Sequence, residues 1–288
     1  PWFKLIKNIN DLNNSILNPN FQKYVIKPVD RSGSRGVYLI DRNSNIINQL
    51  YEKSQKESNS GEILIEEYIE GHQISTESII INGEVYTPGF VDRNYEMLDK
   101  FKPNIIENGG NHPSIISLSK RKEVNQLVEN TARALGIHNG NAKGDVVISK
   151  DGKPMIIEMA SRLSGGDFSE SLIPLGCGVN IVKASINLIL GNQVDINELQ
   201  DKYINYVANR YFFAEEGYIK NIEVLIDIKN YSWIKKLNFF VKKGDYVKPM
   251  RSHSSRLGVF VVTANTRDVL NNRVDYMYKN ILIDMQNS

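Results

Sequence analysis

Residues 24–40, YVIKPVDRSGSRGVYLI, constrain the fold more than any other part of this sequence, because two apolar runs flank a loop of glycine, serine and arginine. The pattern predicts two short strands with a tight connection, since glycine adopts backbone conformations that other residues avoid. Lys27 lies at the end of the first run. Loop N–H groups and a lysine charge together suit phosphate oxygens. A plain β-hairpin with a solvated lysine fits the same stretch equally well.

Short strands and helices alternate along the chain as far as about Gly191. The spacing of apolar residues predicts helices over 10–18, 45–58 with Ser44 as N-cap, 119–136 and 178–191. In the third helix we expect four residues to face the core: Val124, Leu127, Val128 and Leu135. Strands are predicted over 23–28, 36–40, 61–71, 142–149 and 153–160. The pattern therefore favours an α+β fold.

Three further regions complete the organisation. Asn82-Gly83 between two β-rich runs predicts a hairpin, and the irregular stretch 92–113 is long enough to be functional or mobile. From about residue 205 the sequence is β-rich and ends in a helix capped by Thr266. We therefore expect a first domain over 1–200, with a lid at about 21–71 and a catalytic part at about 72–191, and a β-rich C-terminal domain over 201–288.

Composition excludes several classes of partner. The 35 basic and 33 acidic residues give a net charge of only +2, which argues against nucleic acid or an anionic membrane as a partner. The single cysteine, Cys177, rules out an internal disulfide, and no long apolar span is evident. We therefore expect a cytoplasmic protein. Because the sequence opens at Pro1 without a methionine, we also expect a preceding segment.

Two acidic residues interrupt neighbouring apolar strands. Asp145 in KGDVVIS and Glu158 in MIIEMAS flank the turn at Asp151-Gly152. A carboxylate in an apolar strand is costly unless a cation compensates it, so the pair predicts a site for Mg²⁺. Lys143 and Arg162 bracket the acids. The alternative is an edge hairpin whose acids face solvent.

These motifs together resemble a known family. Lys27 with DRSGSRGV, the segment ILIEEYIEG, the acids Asp145 and Glu158, and IIEMASRLSGG occur in the order found in ATP-grasp enzymes. The resemblance covers roughly residues 1–191. The tail looks like the carbamoyl-phosphate-synthase-like and carboxylate–amine ligase branches. The implied fold is two α+β subdomains that clasp ATP.

The resemblance assigns roles in binding ATP. Lys27 matches the lysine that reaches the phosphates. The flexible loop over the phosphates matches Ser32, Gly33, Ser34 and Gly36. The hinge that takes the adenine matches Glu66, Glu67, Tyr68 and Ile69. Gln73 falls where an acid commonly holds the ribose hydroxyls, so it can hydrogen-bond there without a charge.

The same resemblance implies the chemistry. Asp145 and Glu158 match ligands of Mg²⁺ or Mn²⁺, and Lys143 and Arg162 match residues that steady the transferred phosphate. A carboxylate substrate would attack the γ-phosphate of ATP, and an amine substrate would then displace phosphate. A bicarbonate-phosphorylating enzyme of the biotin carboxylase or carbamoyl-phosphate type is the enzymatic alternative. Ala160, where the family often has Asn, keeps a non-catalytic nucleotide-binding module open.

The resemblance also bears on the partners of this chain, and a few other residues stand out in the sequence. The resemblance implies a further N-terminal domain of the same protein and allows a homodimer. His112 in the long stretch could contact a substrate, although an exposed loop position is favoured. Arg256, near His253, could meet a substrate carboxylate, although a surface arginine is favoured. Cys177 is expected to be a small packing residue.

Overall fold

The computed structural model of the chain describes residues 1–16, 20–200 and 202–286. Its strands are β1 (Phe3–Ile6), β2 (Lys23–Pro28), β3 (Tyr38–Asp41), β4 (Ile63–Glu67), β5 (Gly71–Ile81), β6 (Glu84–Arg93), β7 (Gly110–His112), β8 (Gly140–Ser149), β9 (Pro154–Ala160), β10 (Tyr206–Phe212), β11 (Gly217–Val224), β12 (Ile234–Phe239), β13 (Tyr246–Val247), β14 (Gly258–Ala264) and β15 (Ile281–Gln286).

Its α-helices are α1 (Ile9–Ile16), α2 (Ile47–Glu57), α3 (Leu98–Phe101), α4 (Leu118–Ala134), α5 (Ile173–Cys177), α6 (Ile181–Ile189) and α7 (Arg267–Asn280). A π-helical turn, Phe168–Leu172, leads into α5, and His253–Ser255 form a 3₁₀ turn. The first predicted helix is confirmed as α1, and its predicted last residues, 17 and 18, lie outside the described residues. The mixed α+β class is confirmed.

The N-terminal region forms a four-stranded antiparallel sheet, here called the lid sheet, in the order β1-β4-β2-β3. Alternate residues of β2 are buried, and Tyr24 and Ile26 pack with Leu12 of α1 and Leu50 of α2. Strand β1 places residues ahead of position 21 in this sheet. The two predicted strands around the glycine loop pair as expected, with Ile26 opposite Tyr38.

An eight-stranded sheet, here called the central sheet, has the order β12-β14-β10-β7-β6-β5-β8-β9. Phe90 of β6 packs with Val124 and Val128 of α4, whereas the next residue, Val91, packs with Ile173 of α5. Because successive side chains on a strand point to opposite faces, the helices cover both faces of this sheet. The predicted hairpin joins β5 and β6, with φ of 53° at Asn82 and 86° at Gly83.

The C-terminal region contributes to two sheets. Strands β10, β12 and β14 extend the central sheet, whereas β13, β11 and β15 form a separate three-stranded sheet. Helix α7 packs on both through a cluster that includes Phe260, Leu270 and Met277. The predicted β-rich unit is thus present as a small extra sheet, and part of the tail completes the layer that carries the site described below.

Two local predictions are wrong. Helix α2 begins at Ile47 with Ile46 at the N-cap, and not with Ser44, because the Ser44 N–H donates to Asp41 in the turn that follows β3. Leu135 was expected to face the core and is 59% exposed. It is the C-cap of α4, where the chain leaves the helical register that buries Val124 and Val128.

Candidate active site

A cavity of about 880 Å³ lies between the lid sheet and the central sheet. Its volume is within the range of small-molecule and cofactor sites. Every residue predicted for the site lines it except Gly36. Those lining residues are Lys27, Ser32, Gly33, Ser34, Glu66, Glu67, Tyr68, Ile69, Gln73, Lys143, Asp145, Glu158 and Arg162.

The glycine loop bends through left-handed backbone at three positions, with φ of 68° at Gly33, 58° at Ser34 and 71° at Gly36. Gly36 lies away from the cavity, where an added Cβ would stand 2.9 Å from Pro28 Cγ. Its role is therefore close packing of the loop onto β2. Lys27 lies at the loop's base and forms an ion pair of 2.9 Å with Glu66 of β4.

The segment after β4 forms the edge of the cavity at the lid sheet. Glu67 accepts a hydrogen bond of 2.9 Å from the Trp2 backbone N–H, and the Tyr68 N–H donates to the carbonyl of Lys23. Burial raises the pKa of the Tyr68 hydroxyl. Gln73 lies on β5 opposite Val147 of β8, so the central sheet places its amide at the cavity wall.

Asp145 is a buried carboxylate of the cavity and has cations of the same chain beside it. Arg93 Nη1 lies 2.8 Å from its Oδ2, Lys143 also contacts Oδ2, and Ser75 donates to Oδ1 at 2.6 Å. Burial opposes ionisation, but the charges of Arg93 and Lys143 outweigh it and hold the pKa of Asp145 well below its ordinary value. These charges therefore favour the ionised form of Asp145 at neutral pH.

Glu158 lies opposite Asp145 in the β8–β9 register, beside a bulge, but is exposed. The expectation of two acids embedded in apolar strands is therefore wrong for Glu158, because β9 is the edge strand of the central sheet. Among the described residues Glu158 forms no ion pair, and no group of three or more potential ligands gathers for a metal. Two facing carboxylates still fit Mg²⁺, which commonly takes one or two protein carboxylates and completes its shell with phosphates and water.

Residues of the long stretch 92–113 form hydrogen bonds and ion pairs at the centre of the site. Arg93 Nε donates to Glu107 Oε2 at 2.7 Å, and Arg256 Nη2 lies 3.5 Å from Glu107 Oε1. Burial raises the pKa of the Tyr95 hydroxyl. The sequence predicted that this stretch is functional or mobile but did not single out Arg93 and Glu107, because no local pattern marks them.

The C-terminal region closes the cavity. Arg256 was favoured as a surface arginine, yet its side chain is only 9% exposed and stacks 3.6 Å from the centre of the Tyr211 ring. The His253 backbone N–H donates to the Gly33 carbonyl at 2.9 Å. His253 Nε2 lies 3.3 Å from Ser34 Oγ and accepts a hydrogen bond from the Glu107 N–H. Tail residues thus contact the glycine loop directly.

The turn after β9 forms the remaining wall. Arg162 is exposed, lines the cavity and donates to the carbonyl of Leu163. The Ser164 N–H donates to Glu77, a buried carboxylate that also accepts from the Ser169 hydroxyl. Burial raises the pKa of Glu77 despite these bonds. Glu77 therefore anchors the turn rather than facing a substrate.

Two residues noted in the sequence lie outside the cavity. His112 is fully buried in β7, where its ring stacks 5.8 Å from that of Tyr203, so the prediction of an exposed loop position is wrong. The packing role predicted for Cys177 is confirmed by its burial in the cluster around α5.

No single helix of the described residues is long and apolar enough to cross a membrane. The two stretches Phe168–Cys177 and Ile181–Ile189 reach that threshold only together, and they are bent by 120°.

Family models match most of the chain. Residues 3–166 match the ATP-grasp domain, and residues 210–286 match the L-amino acid ligase C-terminal domain 2. No curated protein sequence matches the chain. The family predicted from Lys27, the glycine loop and the acidic pair is thereby confirmed.

Solved structures show the same fold. L-amino acid ligase from Bacillus licheniformis is 21% identical with a TM-score of 0.81, covering 100% of this chain and 68% of that one. Phosphoribosylglycinamide synthetase from Anaerococcus prevotii is 18% identical with a TM-score of 0.68, covering 99% and 69%. The biotin carboxylase domain of Hydrogenobacter thermophilus 2-oxoglutarate carboxylase, solved with MgADP and bicarbonate, is 18% identical with a TM-score of 0.72, covering 98% and 61%. Because the ATP-grasp match spans more than half of the 288 residues, this chain belongs to the ATP-grasp family.

Proposed function

We propose that this chain carries the active site of an ATP-dependent carboxylate–amine ligase. The carboxylate oxygen attacks the γ-phosphorus of ATP, the bond from that phosphorus to the β,γ-bridging oxygen breaks, and ADP leaves. The amine then attacks the carbonyl carbon of the acyl phosphate, loses a proton and displaces phosphate. The observation that supports this proposal is one cavity lined by Lys27, the glycine loop, two carboxylates and several cations.

Each group of the chain has a part in this chemistry. Lys27 and the loop N–H groups hold the phosphates, and the segment after β4 takes the adenine. Lys143 and Arg162 stabilise charge on the transferring phosphoryl group, which is where preorganised cations act most strongly. The loop, in contact with His253, excludes the water that would hydrolyse the acyl phosphate. Mg²⁺, held by Glu158 and Asp145, would neutralise charge on the phosphates when bound.

An amino acid is the carboxylate substrate that the comparisons support best. The C-terminal match is to an L-amino acid ligase domain, and that domain includes His253 and Arg256, which line the cavity. Arg256 is suited to a substrate carboxylate because its planar guanidinium can form two parallel hydrogen bonds. Arg256 is already near Glu107, so a substrate would share it with that carboxylate.

Calorimetric titration with ATP, with and without Mg²⁺, tests the nucleotide site. We expect metal-dependent binding that Lys27→Ala and Glu158→Gln each weaken about tenfold or more, because each removes a charged contact to the phosphates or the metal. Glu223→Gln is the matched control, since Glu223 is an exposed acid of β11 that does not line the cavity.

Phosphate release then identifies the reaction. Pairs of amino acids should stimulate ATP-dependent phosphate release, and the product mass should equal the sum of the pair minus water. Release that depends on bicarbonate and ignores amino acids would instead support the carboxylase-type reaction. Metal-dependent ATP binding without any stimulated release would leave a non-catalytic nucleotide-binding module.

A further inference from the structure

A second cavity, of about 590 Å³, lies between α3, β10 and α7. It shares no lining residue with the cavity of the proposed ligase. The two cavities are close together, because Glu107 lines the first and the next residue, Asn108, lines the second. Tyr211 lines the second cavity, and Arg256, which lines the first, stacks on the Tyr211 ring.

Among the charged residues that line this second cavity, Arg210 is the buried one, with only 5% of its surface exposed. Its Nη1 donates to the carbonyls of Gly110 and Asn209, at 3.0 and 2.8 Å, and its Nη2 donates to Asn111 Oδ1 at 3.0 Å. These acceptors are neutral, and no carboxylate of the described residues pairs with this guanidinium. A guanidinium has five N–H groups, so two are left without a protein acceptor.

A buried cation with only neutral partners is unfavourable by itself. Taking a charge out of water costs several kcal/mol in order of magnitude unless a counter-charge offsets it. Each of the other enclosed cations of the ligase site has such a partner, as Arg93 has Asp145 and Glu107. Among the described residues, Arg210 therefore differs from Arg93 in having no carboxylate within ion-pair distance, and the charges of Glu96 and Glu107 act on it only from farther away.

The inner walls are largely apolar and are formed by Met97, Phe212, Phe213, Val274, Tyr278, Ile281 and Ile283. Four exposed polar residues also line this cavity: Glu96, Lys100, Asn271 and Asp275. Asn108 is fully engaged, since its amide donates to Glu96 and Tyr278 and its Oδ1 accepts from the Tyr211 N–H. The wall is thus preformed, as is typical of small-molecule sites.

We propose that this second cavity binds a small organic carboxylate with an apolar body, whose carboxylate pairs with Arg210. The apolar body lies against Phe212, Phe213 and Tyr278, where aromatic side chains offer a large contact area. The carboxylate takes the two N–H groups that have no protein acceptor. This site goes beyond the proposed ligase reaction and does not depend on it.

Fluorine NMR with 3-(4-fluorophenyl)propanoate as the probe tests the proposal. We expect saturable binding to the chain, and binding at least about tenfold weaker for 4-fluorophenethylamine, which has the same ring but no carboxylate. Met97→Trp should fill the mouth of the second cavity and abolish binding. Met97 is half-buried on the short segment before α3, so this variant tests the cavity without altering the buried Arg210.

Gly165→Trp is the control for the first cavity, because Gly165 lines that cavity and an added Cβ there meets nothing within 4 Å. Binding should survive this substitution. The proposal is overturned if the amine binds as well as the carboxylate, if binding is lost in Gly165→Trp but kept in Met97→Trp, or if no saturable binding occurs.

Discussion

Asp145 owes its ionised state to neighbours that are distant in sequence. Arg93 reaches it from β6, Lys143 from its own strand, and Ser75 from β5. The carboxylate thus neutralises part of a cation cluster before any metal or phosphate arrives. Glu158, its partner in the β8–β9 register, has the opposite environment because it lies exposed on the edge strand.

This contrast predicts different costs for two similar substitutions. Asp145→Asn leaves Arg93 and Lys143 buried with less compensation, so we expect a loss of about 3–5 kcal/mol in the free energy of unfolding. Glu158→Gln should change it by less than about 0.5 kcal/mol, as exposed substitutions do. Urea denaturation of both variants measures the difference, and equal losses would contradict the burial described for Asp145.

His112 predicts how stability depends on pH. Burial, with further contributions from Arg121 and Arg267 that outweigh Asp92, lowers its pKa from 6.5 to about 3. Between these values the unfolded chain binds a proton that the folded chain does not. The contribution of His112 to the free energy of unfolding is therefore fully present above pH 6.5. It decreases as the pH falls toward 3, with a slope approaching about 1.4 kcal/mol per pH unit.

Substitution of His112 isolates this contribution. His112→Phe keeps a ring against Tyr203 but cannot titrate, so the free energy of unfolding should depend less steeply on pH between 6.5 and 3 than in the wild type. Urea denaturation at a series of pH values gives both slopes. Parallel curves would show that His112 does not carry the effect, whatever the absolute stability of the variant.

At the scale of elements, helix α7 begins at the N-cap that the local sequence predicts. Thr266 was predicted as its N-cap, and its hydroxyl accepts from the Val269 N–H at 3.3 Å. Ser44 is the counter-example, because the turn after β3 uses its backbone and α2 begins three residues later. A capping residue therefore indicates that a helix is near, and the preceding turn decides where it starts.

Thr266→Ala should lower the free energy of unfolding by about 1 kcal/mol, because a helix N–H loses its acceptor. Thr266→Ser retains the hydroxyl and should cost only a fraction of that. Chemical denaturation monitored by circular dichroism compares the two variants. If both variants lose the same amount, the hydroxyl is not the group that stabilises the start of α7.

At the scale of the whole molecule, the tail and the lid sheet meet across the candidate active site. His253, from the 3₁₀ turn before β14, contacts Gly33, Ser34 and Glu107. The glycine loop is therefore supported by a segment more than 200 residues later in the chain. A second link joins the lid sheet to the central sheet, because Lys23 of the lid sheet and Lys150, next to β8, both pair with Glu70.

His253→Ala should release the glycine loop. We expect faster amide hydrogen exchange over residues 31–36, because the side chain that contacts Ser34 is removed, while exchange in α7 stays unchanged. Ser254→Ala is the matched control, since Ser254 is exposed and its hydroxyl contacts Ser252 instead. Unchanged exchange in the loop of the His253 variant would mean that the backbone bond to Gly33 alone supports it.

The local sequence by itself determined the family and many of the elements, but not β1, α3 or β7. Period-two burial in β2, the Asn82-Gly83 hairpin, helix α4 and the run of motifs from Lys27 to Arg162 are properties of neighbouring residues, so they are readable without a fold. The two apolar runs around the glycine loop likewise indicated neighbouring strands, which pair as β2 and β3.

Tertiary structure alone decided what surrounds those motifs. Strand order placed β10 beside β7, which brought Tyr211 under Arg256 at the cavity and buried His112. It also placed Arg93 and Glu107 between the motifs, and it exposed Glu158 by leaving β9 at the edge. The physical reason is that burial and charge compensation depend on contacts between residues far apart in sequence, which local periodicity does not encode.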